Sequence, residues 1–408
     1  MPALVPKLRF PEFREAEGWS DEALSDVATI VMGSSPKSEC YNQSEIGLPL
    51  LQGNADIKNR LSAPRIFTSE ITKECTIGDI LLSVRAPVGS VAKSIHHACI
   101  GRGIAAVRVN HPNVQEFVYQ WLLSYESRWV DISQGGTFDA VNSDDLKGVA
   151  FAVPRPAEQQ KIAECLSSVD ELIAAQSRKL NALKTHKKGL MQQLFPREGE
   201  TQPRLRFPEF QNKGEWNCKT LKDIAKITSG TTPLRSNSEF FAGGTIPWVK
   251  TTDLNNSFIT ETEEKITSKA RARVNPAGSI LVAMYGGFNQ IGRTGCLSFP
   301  AATNQAMSVL VLDQKAALPV YVLAWLNAKV DDWKRIASSS RKDPNITGTN
   351  VANFSIVLPQ PAEQQRIADC LTSLDDLIAA QTQKHEALKI HKKGLMQQLF
   401  PSPEAVEA

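Results

Sequence analysis

A 41-residue segment occurs twice in this chain of 408 residues, and it restricts the possible fold more than any other feature. Residues 156–196 are PAEQQKIAECLSSVDELIAAQSRKLNALKTHKKGLMQQLFP, and residues 361–401 are PAEQQRIADCLTSLDDLIAAQTQKHEALKIHKKGLMQQLFP. At an offset of 205, 31 of the 41 positions are identical, and six of the ten differences are conservative. The segment is therefore a true internal repeat.

Each copy carries a heptad seam, a set of positions spaced alternately four and three residues apart, most of them apolar. This spacing predicts a long helix that packs on a partner helix. Because neither seam can stay exposed to water, the natural partner of one copy is the other. The seam residues are Ile162, Leu166, Val169, Ile173, Gln176, Leu180 and Leu183 in the first copy, and Ile367, Leu371, Leu374, Ile378, Gln381, His385 and Leu388 in the second.

Two kinds of residue interrupt this pattern at matched positions in both copies. The seam glutamines, Gln176 and Gln381, are interpreted as residues that fix the register of an antiparallel pair. Gly189 and Gly394 are unfavourable inside a helix by about 1 kcal/mol relative to Ala. We interpret these glycines as a bend in the helix or as a close approach to the globular part of the chain that follows.

The composition describes a globular chain with a small positive charge. Hydrophobic residues make up 42%, and the net charge of +3 permits nucleic-acid binding without requiring it. The first residues lack the apolar core of a signal peptide, and no run approaches the roughly 18 apolar residues of a membrane span. Seven cysteines without close pairing predict reduced thiols, with no disulfide and no structural zinc. We therefore expect a cytoplasmic protein.

The repeated helix is the end of a larger repeated unit. The motif LRFPEF at 8–13 returns at 205–210, and Gly33 and Pro36 return as Gly230 and Pro233. The two globular parts, called heads here, otherwise differ in sequence, so one scaffold is kept while two heads diverge. The predicted domains are a first head at 1–155, a first long helix at 156–196, a second head at 197–360, and a second long helix with a tail at 361–408.

Each head is predicted to be a mixed α/β domain of about 150 residues, an ordinary domain size. Short apolar runs bounded by Gly, Pro or Asn predict strands, and apolar residues at helical spacing predict one helix in each head. The predicted strands are 48–51, 79–84, 104–109 and 149–153 in the first head, and 246–249, 279–284, 307–312 and 354–358 in the second. The predicted helices are 114–129 and 321–333.

Polar loops that follow these strands are the candidate functional sites, because a rigid scaffold displays function on its loops. Gly allows close backbone approach to a ligand, while Arg, Lys, Asn and Gln supply the hydrogen-bonding groups that recognise base edges. Any single one of them is also consistent with an ordinary turn or cap. The candidate DNA-binding residues are Gln52, Asn54, Arg85, Lys93, Arg102, Gln134 and Thr137 in the first head, and Lys250, Thr252, Tyr285, Asn289, Gln290, Arg293, Asn304, Gln305, Arg341 and Lys342 in the second.

Motifs for catalysis are absent from the sequence. There is no Gly-rich loop ending in Gly-Lys-Ser/Thr, and no Asn/Asp-Pro-Pro-aromatic motif of an amino-methyltransferase. The six histidines do not form a metal set. Lys184, Lys187 and Lys188, with their copies in the second helix, are consistent with contact to a phosphate backbone, with a solvated helix face or with a partner-docking surface. The chain is therefore predicted to be non-catalytic, with no cofactor or metal of its own.

The order of two different heads and two nearly identical long helices, with PAEQQ opening each helix and QQLFP closing it, resembles the specificity subunit of a Type I restriction-modification enzyme. GDILLSVRAPVGSVA and CIGRGIAAVRV in the first head, and GSILVAMYGGFNQIG and ATNQAMSVL in the second, resemble variants of that family's target recognition domain. The resemblance covers essentially the whole chain.

The resemblance implies an α+β protein with two mixed α/β target recognition domains. They are related by pseudo-two-fold symmetry and separated by a long antiparallel two-helix coiled coil. Each domain is expected to bind one half of a bipartite, asymmetric target in double-stranded DNA, while the helices set the spacing and dock two modification subunits. Those subunits are expected to carry S-adenosylmethionine and the adenine-N6 methylation chemistry. Restriction subunits that use ATP and magnesium are expected to join them.

Two other functions remain open from the residues alone. A stand-alone bipartite DNA-binding regulator needs the same heads, but it does not need the repeated identities outside the seam, such as Glu158, Gln159, Gln160, Gln192 and Gln193. A coiled-coil adaptor that does not bind DNA does not need two domains with polar loops. Co-purification with a methyltransferase subunit distinguishes a specificity subunit from the regulator. A DNA-binding assay distinguishes it from the adaptor.

Overall fold

The computed structural model of the chain describes residues 4–129, 140–286, 290–338 and 345–401. Its contacts divide into two compact units, residues 1–177 with 383–408 and residues 178–382. Each unit therefore contains one head, the first part of the long helix that follows this head, and the last part of the other long helix.

The head of the first unit is built on a six-stranded sheet in the order β2-β12-β9-β10-β6-β5 and a five-stranded sheet in the order β3-β7-β4-β11-β8, with β1 paired to β13. Its strands are β1 (Ser20–Ala23), β2 (Ala28–Met32), β3 (Tyr41–Asn42), β4 (Leu48–Leu51), β5 (Ile57–Lys58), β6 (Leu61–Ser62), β7 (Ile66–Thr68), β8 (Glu74–Cys75), β9 (Ile80–Ser83), β10 (Val91–Lys93), β11 (Ala98–Ile100), β12 (Ile104–Val109) and β13 (Ala150–Val153). Its helices are α1 (Leu24–Val27), α2 (Gln115–Tyr125), α3 (Ser143–Lys147) and the start of the long helix α4 (Pro156–Leu194).

The head of the second unit repeats this plan in shorter form. Its larger sheet has the order β15-β22-β19-β20-β17, its smaller sheet the order β18-β16-β21, and β14 pairs with β23. The strands are β14 (Asn217–Thr220), β15 (Ala225–Ser229), β16 (Ile246–Val249), β17 (Phe258–Ile259), β18 (Lys265–Ile266), β19 (Ile280–Ala283), β20 (Thr294–Leu297), β21 (Ala302–Thr303), β22 (Met307–Leu312) and β23 (Ser355–Leu358). The helices are α5 (Leu221–Ile224), α6 (Pro319–Ala328), α7 (Val330–Ser338), α8 (Gly348–Ala352) and the start of the long helix α9 (Pro361–Leu399).

The predicted fold class is confirmed: two mixed α/β domains are combined with two long helices. Each of the eight predicted strands corresponds to an observed strand, and β4, β12, β16 and β22 have the predicted bounds. The helix predicted at 321–333 is two consecutive helices, α6 and α7. The strands β1, β2, β14, β15 and β20, of four or five residues each, were not predicted. The strands of two or three residues were also missed, because segments so short show no periodicity.

The two long helices have 39 residues each, which corresponds to about 58 Å at 1.5 Å per residue. All fourteen predicted seam residues are buried or half-buried. In contrast, Leu172 and Leu377, which the heptad pattern places outside the seam, are 57% and 40% exposed. The seam prediction therefore separated buried from exposed apolar positions on the same helices.

Each unit contains an ion pair that shows the two helix segments to be antiparallel. In the first unit the Lys392 ammonium lies 2.7 Å from the Asp170 carboxylate, while Ile162 and Leu399 belong to one apolar cluster. From Ile162 to Asp170 along α4, the matching residue on α9 therefore moves back from Leu399 to Lys392. The two helix segments run in opposite directions. The pair of Lys187 with Asp375 in the second unit is the same contact with the two copies exchanged. Both pairs are partly exposed and contribute below about 1 kcal/mol, so their role is to set the register.

The core of each head is completed by both helices. In the first unit, Ile162 and Leu166 from the start of α4 join Phe400, which directly follows the end of α9, in the core. The Phe400 ring lies 5.6 Å from the Phe117 ring of α2. The second unit uses Phe195 in the same way, with its ring 5.4 Å from that of Trp325. The motif QQLFP that ends each copy is therefore an anchor in the core of a head.

A buried ion pair fixes the start of each long helix to its head. The guanidinium of Arg9, in the motif LRFPEF, donates two hydrogen bonds to the Glu158 carboxylate at 2.8 and 2.7 Å, and the side chains are 7% and 3% exposed. These hydrogen bonds raise the pKa of Arg9. Arg206 and Glu363 form the same pair in the second unit at 2.7 Å and 2.8 Å. The two repeated motifs are thus partners of each other.

Burial within the unit explains the repetition of Glu158 and Gln159, so these two identities do not argue against a stand-alone regulator. Both side chains are buried within the first unit. The Gln159 amide accepts a hydrogen bond from Val114 N at 2.8 Å and donates to Asn113 Oδ1 and to Pro154 O. Attachment of the helix to the head accounts for these identities. Gln160, the next residue, is exposed.

The interpretation of Gly189 and Gly394 as points of close approach is wrong. No atom of the described structure lies within 4 Å of the position that a Cβ would occupy at either glycine, apart from neighbouring helix backbone. Both residues lie in continuous helix.

We therefore predict that Gly394→Ala and Gly189→Ala each stabilise the chain by up to about 1 kcal/mol, measured by urea unfolding. Destabilisation by both would contradict the open surroundings of these glycines.

The anchoring role of QQLFP predicts a local effect of its removal. Phe400→Ala should destabilise the first head by about 3–5 kcal/mol, because it removes a buried aromatic ring from the core. Amide hydrogen exchange should increase in α2 and change little in α6, and Phe195→Ala should give the reverse. Ile390→Ala, at a position that is 72% exposed on the same helix, is the control. Equal protection of α2 in Phe400→Ala and in the control would contradict the anchor.

Candidate nucleic-acid interface

Four loops meet at one end of the first head. The loop after β11 is central, because Gly101 N donates to Leu51 O at 2.8 Å and Gly103 N donates to Gln52 O at 3.1 Å. Val84 N in turn donates to Gly103 O at 3.0 Å. The loops are residues 33–36 after β2, 52–56 after β4, 84–90 after β9 and 101–103 after β11.

Glycine is required where these loops cross. A Cβ at Gly33 would lie 2.2 Å from the carbonyl oxygen of Gly101, and a Cβ at Gly103 would lie 2.3 Å from that of Gln52. Real Cβ atoms do not approach backbone oxygens so closely. The glycines therefore bring the polar loop residues into one cluster, as expected of positions that need close backbone approach.

Four predicted residues of the first head, Gln52, Asn54, Arg85 and Arg102, lie on these loops. Arg85 and Arg102 are exposed, and the other two are half-buried. The backbone N–H and the Nε–H of Arg102 both donate to the Ser35 hydroxyl, at 3.3 and 3.2 Å. This contact orients the guanidinium.

Lys93 is placed elsewhere. It pairs with Ile80, the first residue of β9, whereas the loop with Arg85 follows the last residue of that strand. Its ammonium contacts the Glu116 carboxylate and lies 4.3 Å from the centre of the Tyr119 ring. The structure therefore does not bring Lys93 together with the other predicted residues.

The second head has the same arrangement of loops. Asn304 N donates to Val249 O at 3.0 Å, as Gly101 N does to Leu51 O, and Met284 N donates to Ala306 O at 2.9 Å, as Val84 N does to Gly103 O. Gln305 N donates to the Thr232 hydroxyl at 3.2 Å, which matches Arg102 on Ser35. These bonds establish the equivalent positions Gln52 and Lys250, Arg85 and Tyr285, Arg102 and Gln305, and Ser35 and Thr232.

A cleft of about 1050 Å³ opens beside Tyr285 and Gln305, and is also lined by Thr228, Ser229 and Thr349. Tyr285 is 46% exposed, and Gln305 is exposed as well. The cleft therefore offers a ring face, an amide and hydroxyl groups on one surface, a combination suited to base edges.

The remaining predicted residues of the second head differ in their exposure to solvent. Thr252 is exposed, while Gln290, Arg293 and Asn304 are half-buried. Gln290 Oε1 and Asn304 Oδ1 are buried and accept no hydrogen bond from the described residues. Predicted residues Gln134, Thr137, Asn289, Arg341 and Lys342 lie outside the described part of the chain.

Lys250 has a partner that the sequence did not reveal. Its ammonium contacts Glu264, whose Oε1 also accepts a hydrogen bond from Arg235 Nη2 at 2.9 Å. Lys250 and then Arg235 lower the pKa of Glu264. The Arg235 guanidinium lies 4.8 Å from the Phe241 ring and 5.2 Å from the Trp248 ring, and its side chain is 59% exposed. It is an additional candidate for contact with DNA.

The first head has its own unpredicted residues at this end. Arg65 donates to Asp56 at 2.7 Å and is 59% exposed, whereas Asp56 is buried and also accepts from Gln52 N at 2.8 Å. Ser35 and Thr232 were detectable in the sequence, because they directly precede the repeated prolines Pro36 and Pro233. Arg65 and Arg235 gave no such signal.

Within residues 4–129, 140–286, 290–338 and 345–401, no group of three or more His, Cys, Asp or Glu side chains is arranged to hold a metal ion. None of the helices in these ranges is long and apolar enough to cross a membrane.

Comparison with known proteins gives a family match over most of the chain. The model of the Type I restriction modification DNA specificity domain matches residues 16–185 and again residues 213–389. Each match includes most of one head and most of the long helix that follows it.

One curated relative is the putative type I restriction enzyme MjaX specificity subunit of Methanocaldococcus jannaschii, which is 36% identical over 167 residues. This alignment covers 41% of the chain and 39% of the relative, so the chain matches about two fifths of that protein's length.

Two solved structures share the fold over nearly their whole length. The S subunit of a Type I restriction-modification system from M. genitalium has a TM-score of 0.61 at 16% identity, with 98% of this chain and 99% of that chain covered. A structure that concerns complex assembly and conformational transition of the type I R-M system has a TM-score of 0.62 at 18% identity, with 95% and 98% covered.

The crossing of the loops predicts the effect of a single methyl group. Gly33→Ala should destabilise the first head by about 1–3 kcal/mol, because the new Cβ overlaps three backbone oxygens that are fixed by strand pairing. Gly53→Ala is the matched control, since no heavy atom lies within 4 Å of its Cβ position. Thermal unfolding measures both. Equal melting temperatures for the two variants would be inconsistent with this close crossing.

Proposed function

Because the chain belongs to the family of Type I restriction modification DNA specificity domains, we propose that it is the DNA-recognition subunit of such a system. Each head binds one half of a bipartite target in double-stranded DNA. The loop clusters that include Arg102 and Gln305 are the recognition surfaces, and the paired long helices determine the spacing of the half-sites.

One observation carries this proposal: equivalent positions on the same loop framework hold different side chains. Gln52 is matched by Lys250, and Arg85 by Tyr285. These exchanges alter hydrogen-bonding capacity while the backbone hydrogen bonds around them are kept. Two heads of this kind recognise different half-sites, so the target is asymmetric.

Arg102 and Gln305, which occupy equivalent positions in the two heads, make this proposal specific. Arg forms paired hydrogen bonds with guanine O6 and N7, and Gln forms them with adenine N6 and N7, each worth about 1–3 kcal/mol against the wrong base. The first head therefore prefers guanine at the base that faces Arg102. The second prefers adenine at the base that faces Gln305.

The partners follow from the same proposal. Two modification subunits bind the chain, supply S-adenosylmethionine and methylate adenine, and restriction subunits that use ATP and magnesium join them for cleavage. One solved structure with this fold concerns complex assembly in the type I R-M system. The chain itself contributes recognition and no catalytic group.

A stand-alone bipartite regulator remains the second candidate. The buried positions of Glu158 and Gln159 remove one argument against it, because these residues are needed for the attachment of helix to head whether or not a partner binds. Co-purification separates the two: a stable complex with a methyltransferase subunit supports the specificity subunit, and its absence favours the regulator.

The recognition proposal is tested by exchanging the matched residues. Arg102→Gln should change one preferred base of the first half-site from guanine to adenine, and Gln305→Arg should make the opposite change in the second. The change corresponds to about 5- to 150-fold in relative affinity. Methylated adenines are mapped by genome sequencing in cells that carry each variant with its modification subunits.

Arg155→Gln is the control, because Arg155 is exposed on the same head and pairs with Glu17 away from the loop cluster. It should leave the methylated motif unchanged. The assignment of Arg102 fails if Arg102→Gln retains the wild-type motif at wild-type efficiency. The function itself fails if deletion of the chain removes no methylated motif.

A further inference from the structure

Each unit contains a groove between its head and the C-terminal end of a long helix. This helix is α9 in the first unit and α4 in the second. The grooves have volumes of about 1070 Å³ in the first unit and 920 Å³ in the second. Three matched lysines line each groove, at helix positions i, i+3 and i+4. They are Lys389, Lys392 and Lys393 in the first unit, and Lys184, Lys187 and Lys188 in the second.

The charge on both grooves is strongly positive, although the whole chain has a net charge of only +3. Lys7 and Arg60 add to the three lysines of the first groove, and Glu126 is the one acidic side chain among its lining residues. Lys329 and Arg197 add to those of the second, against Asp331 and Asp375. The excess of positive charge is therefore local and occurs in both units.

The middle lysine of each set forms an ion pair with the other long helix. Lys392 and Lys187 are the residues that pair with Asp170 and Asp375 in the seam. Their charge is therefore already compensated within the unit, and they are not expected to supply the main attraction for a ligand.

The outer lysines of each set face solvent. Lys393 and its copy Lys188 are exposed, and neither forms an ion pair within the part of the chain that the structure describes. Lys389 is also exposed, and its ammonium lies 3.0 Å from the Glu386 carboxylate. An exposed pair of this kind contributes little and can exchange partners. These lysines are therefore available to an anionic ligand.

The first groove reaches the recognition loops, and the second lies beside a segment that follows one of them. The first is lined by Asn54 of the loop after β4 and by Ser90 at the end of the loop after β9. The second is lined by Asn255 and Ser257, which follow the loop after β16. Amides and hydroxyls of this kind are common donors to phosphate oxygens. A duplex held by the loops of the first head is therefore adjacent to the lysines of the first groove.

We propose that the two grooves bind the DNA phosphate backbone beside each half-site. On one helix face, residues four apart are about 5–6 Å apart, a spacing that lets the two outer lysines of a set follow consecutive phosphates of one strand. The contact does not depend on base sequence, so both units use identical lysines although their recognition loops differ. This inference rests on the proposed function, since it assigns a second contact to the same bound duplex.

The test uses the chain assembled with its modification subunits and a duplex that carries its target. Lys184→Gln, Lys188→Gln, Lys389→Gln and Lys393→Gln are combined, and binding is measured across a series of salt concentrations. The slope of log K against log salt should decrease in magnitude by about 0.9 for each phosphate that is no longer neutralised. The preference for target over non-target duplex should stay the same.

Two control variants test whether the change in slope is specific to the groove lysines. Lys179→Gln with Lys384→Gln removes two exposed lysines at matched positions of the same helices that do not line either groove, and it should retain the wild-type slope. The combined Lys184→Arg, Lys188→Arg, Lys389→Arg and Lys393→Arg substitutions should retain the wild-type slope, because a phosphate accepts either cation.

Three outcomes would overturn the inference. A wild-type slope in the fourfold Gln variant would show that the lysines do not contact phosphate. Loss of the modification subunits from the Gln variant, with DNA binding otherwise intact, would identify the grooves as protein-docking surfaces. Absence of sequence-specific binding by the wild-type complex would overturn the proposed function, and this inference with it.

Discussion

The structure depends on one packing constraint: neither head can complete its core without the ends of both long helices. Ile162 and Leu166 enter the first core from the start of α4, and Phe400 enters it from the end of α9. A helix that leaves a head and a helix that arrives at it are necessarily antiparallel where they meet. The direction of the helices is therefore set by the burial of their ends, and the seam ion pairs then select one register.

The attachment of helix to head and the recognition surface use different parts of each head. The Arg9 and Glu158 pair and the Phe400 anchor lie in the core and at its edge, where nearly identical sequence is kept in both units. The loop cluster lies where β9 ends and β12 begins, and its backbone hydrogen bonds do not use the side chains at positions such as Arg102. Those side chains can differ without disturbing the framework, which is the physical basis for the two specificities that we propose for one scaffold.

The sequence located the strand-terminal loops of the candidate site, but it did not reveal the individual contacts within them. Arg85 and Arg102 lie in the loop cluster because β9 pairs with β12, a pairing of strands that are not consecutive along the chain. Lys93 is separated from them because the hairpin from β9 to β10 places it at the opposite end of β9. Arg65 and Arg235 were missed, since only the folded chain brings them to Asp56 and Glu264.

By itself the sequence determined the repeated architecture, the two long helices with their buried seam, and eight of the strands. These features depend on periodicity and on the repeat, which are properties of neighbouring residues. The tertiary structure alone decided that the repeated motifs LRFPEF and PAEQQ bind each other, that QQLFP anchors a core, and that matched lysines line a groove. Each of these depends on contacts between residues far apart along the chain, and local patterns carry no information about such contacts.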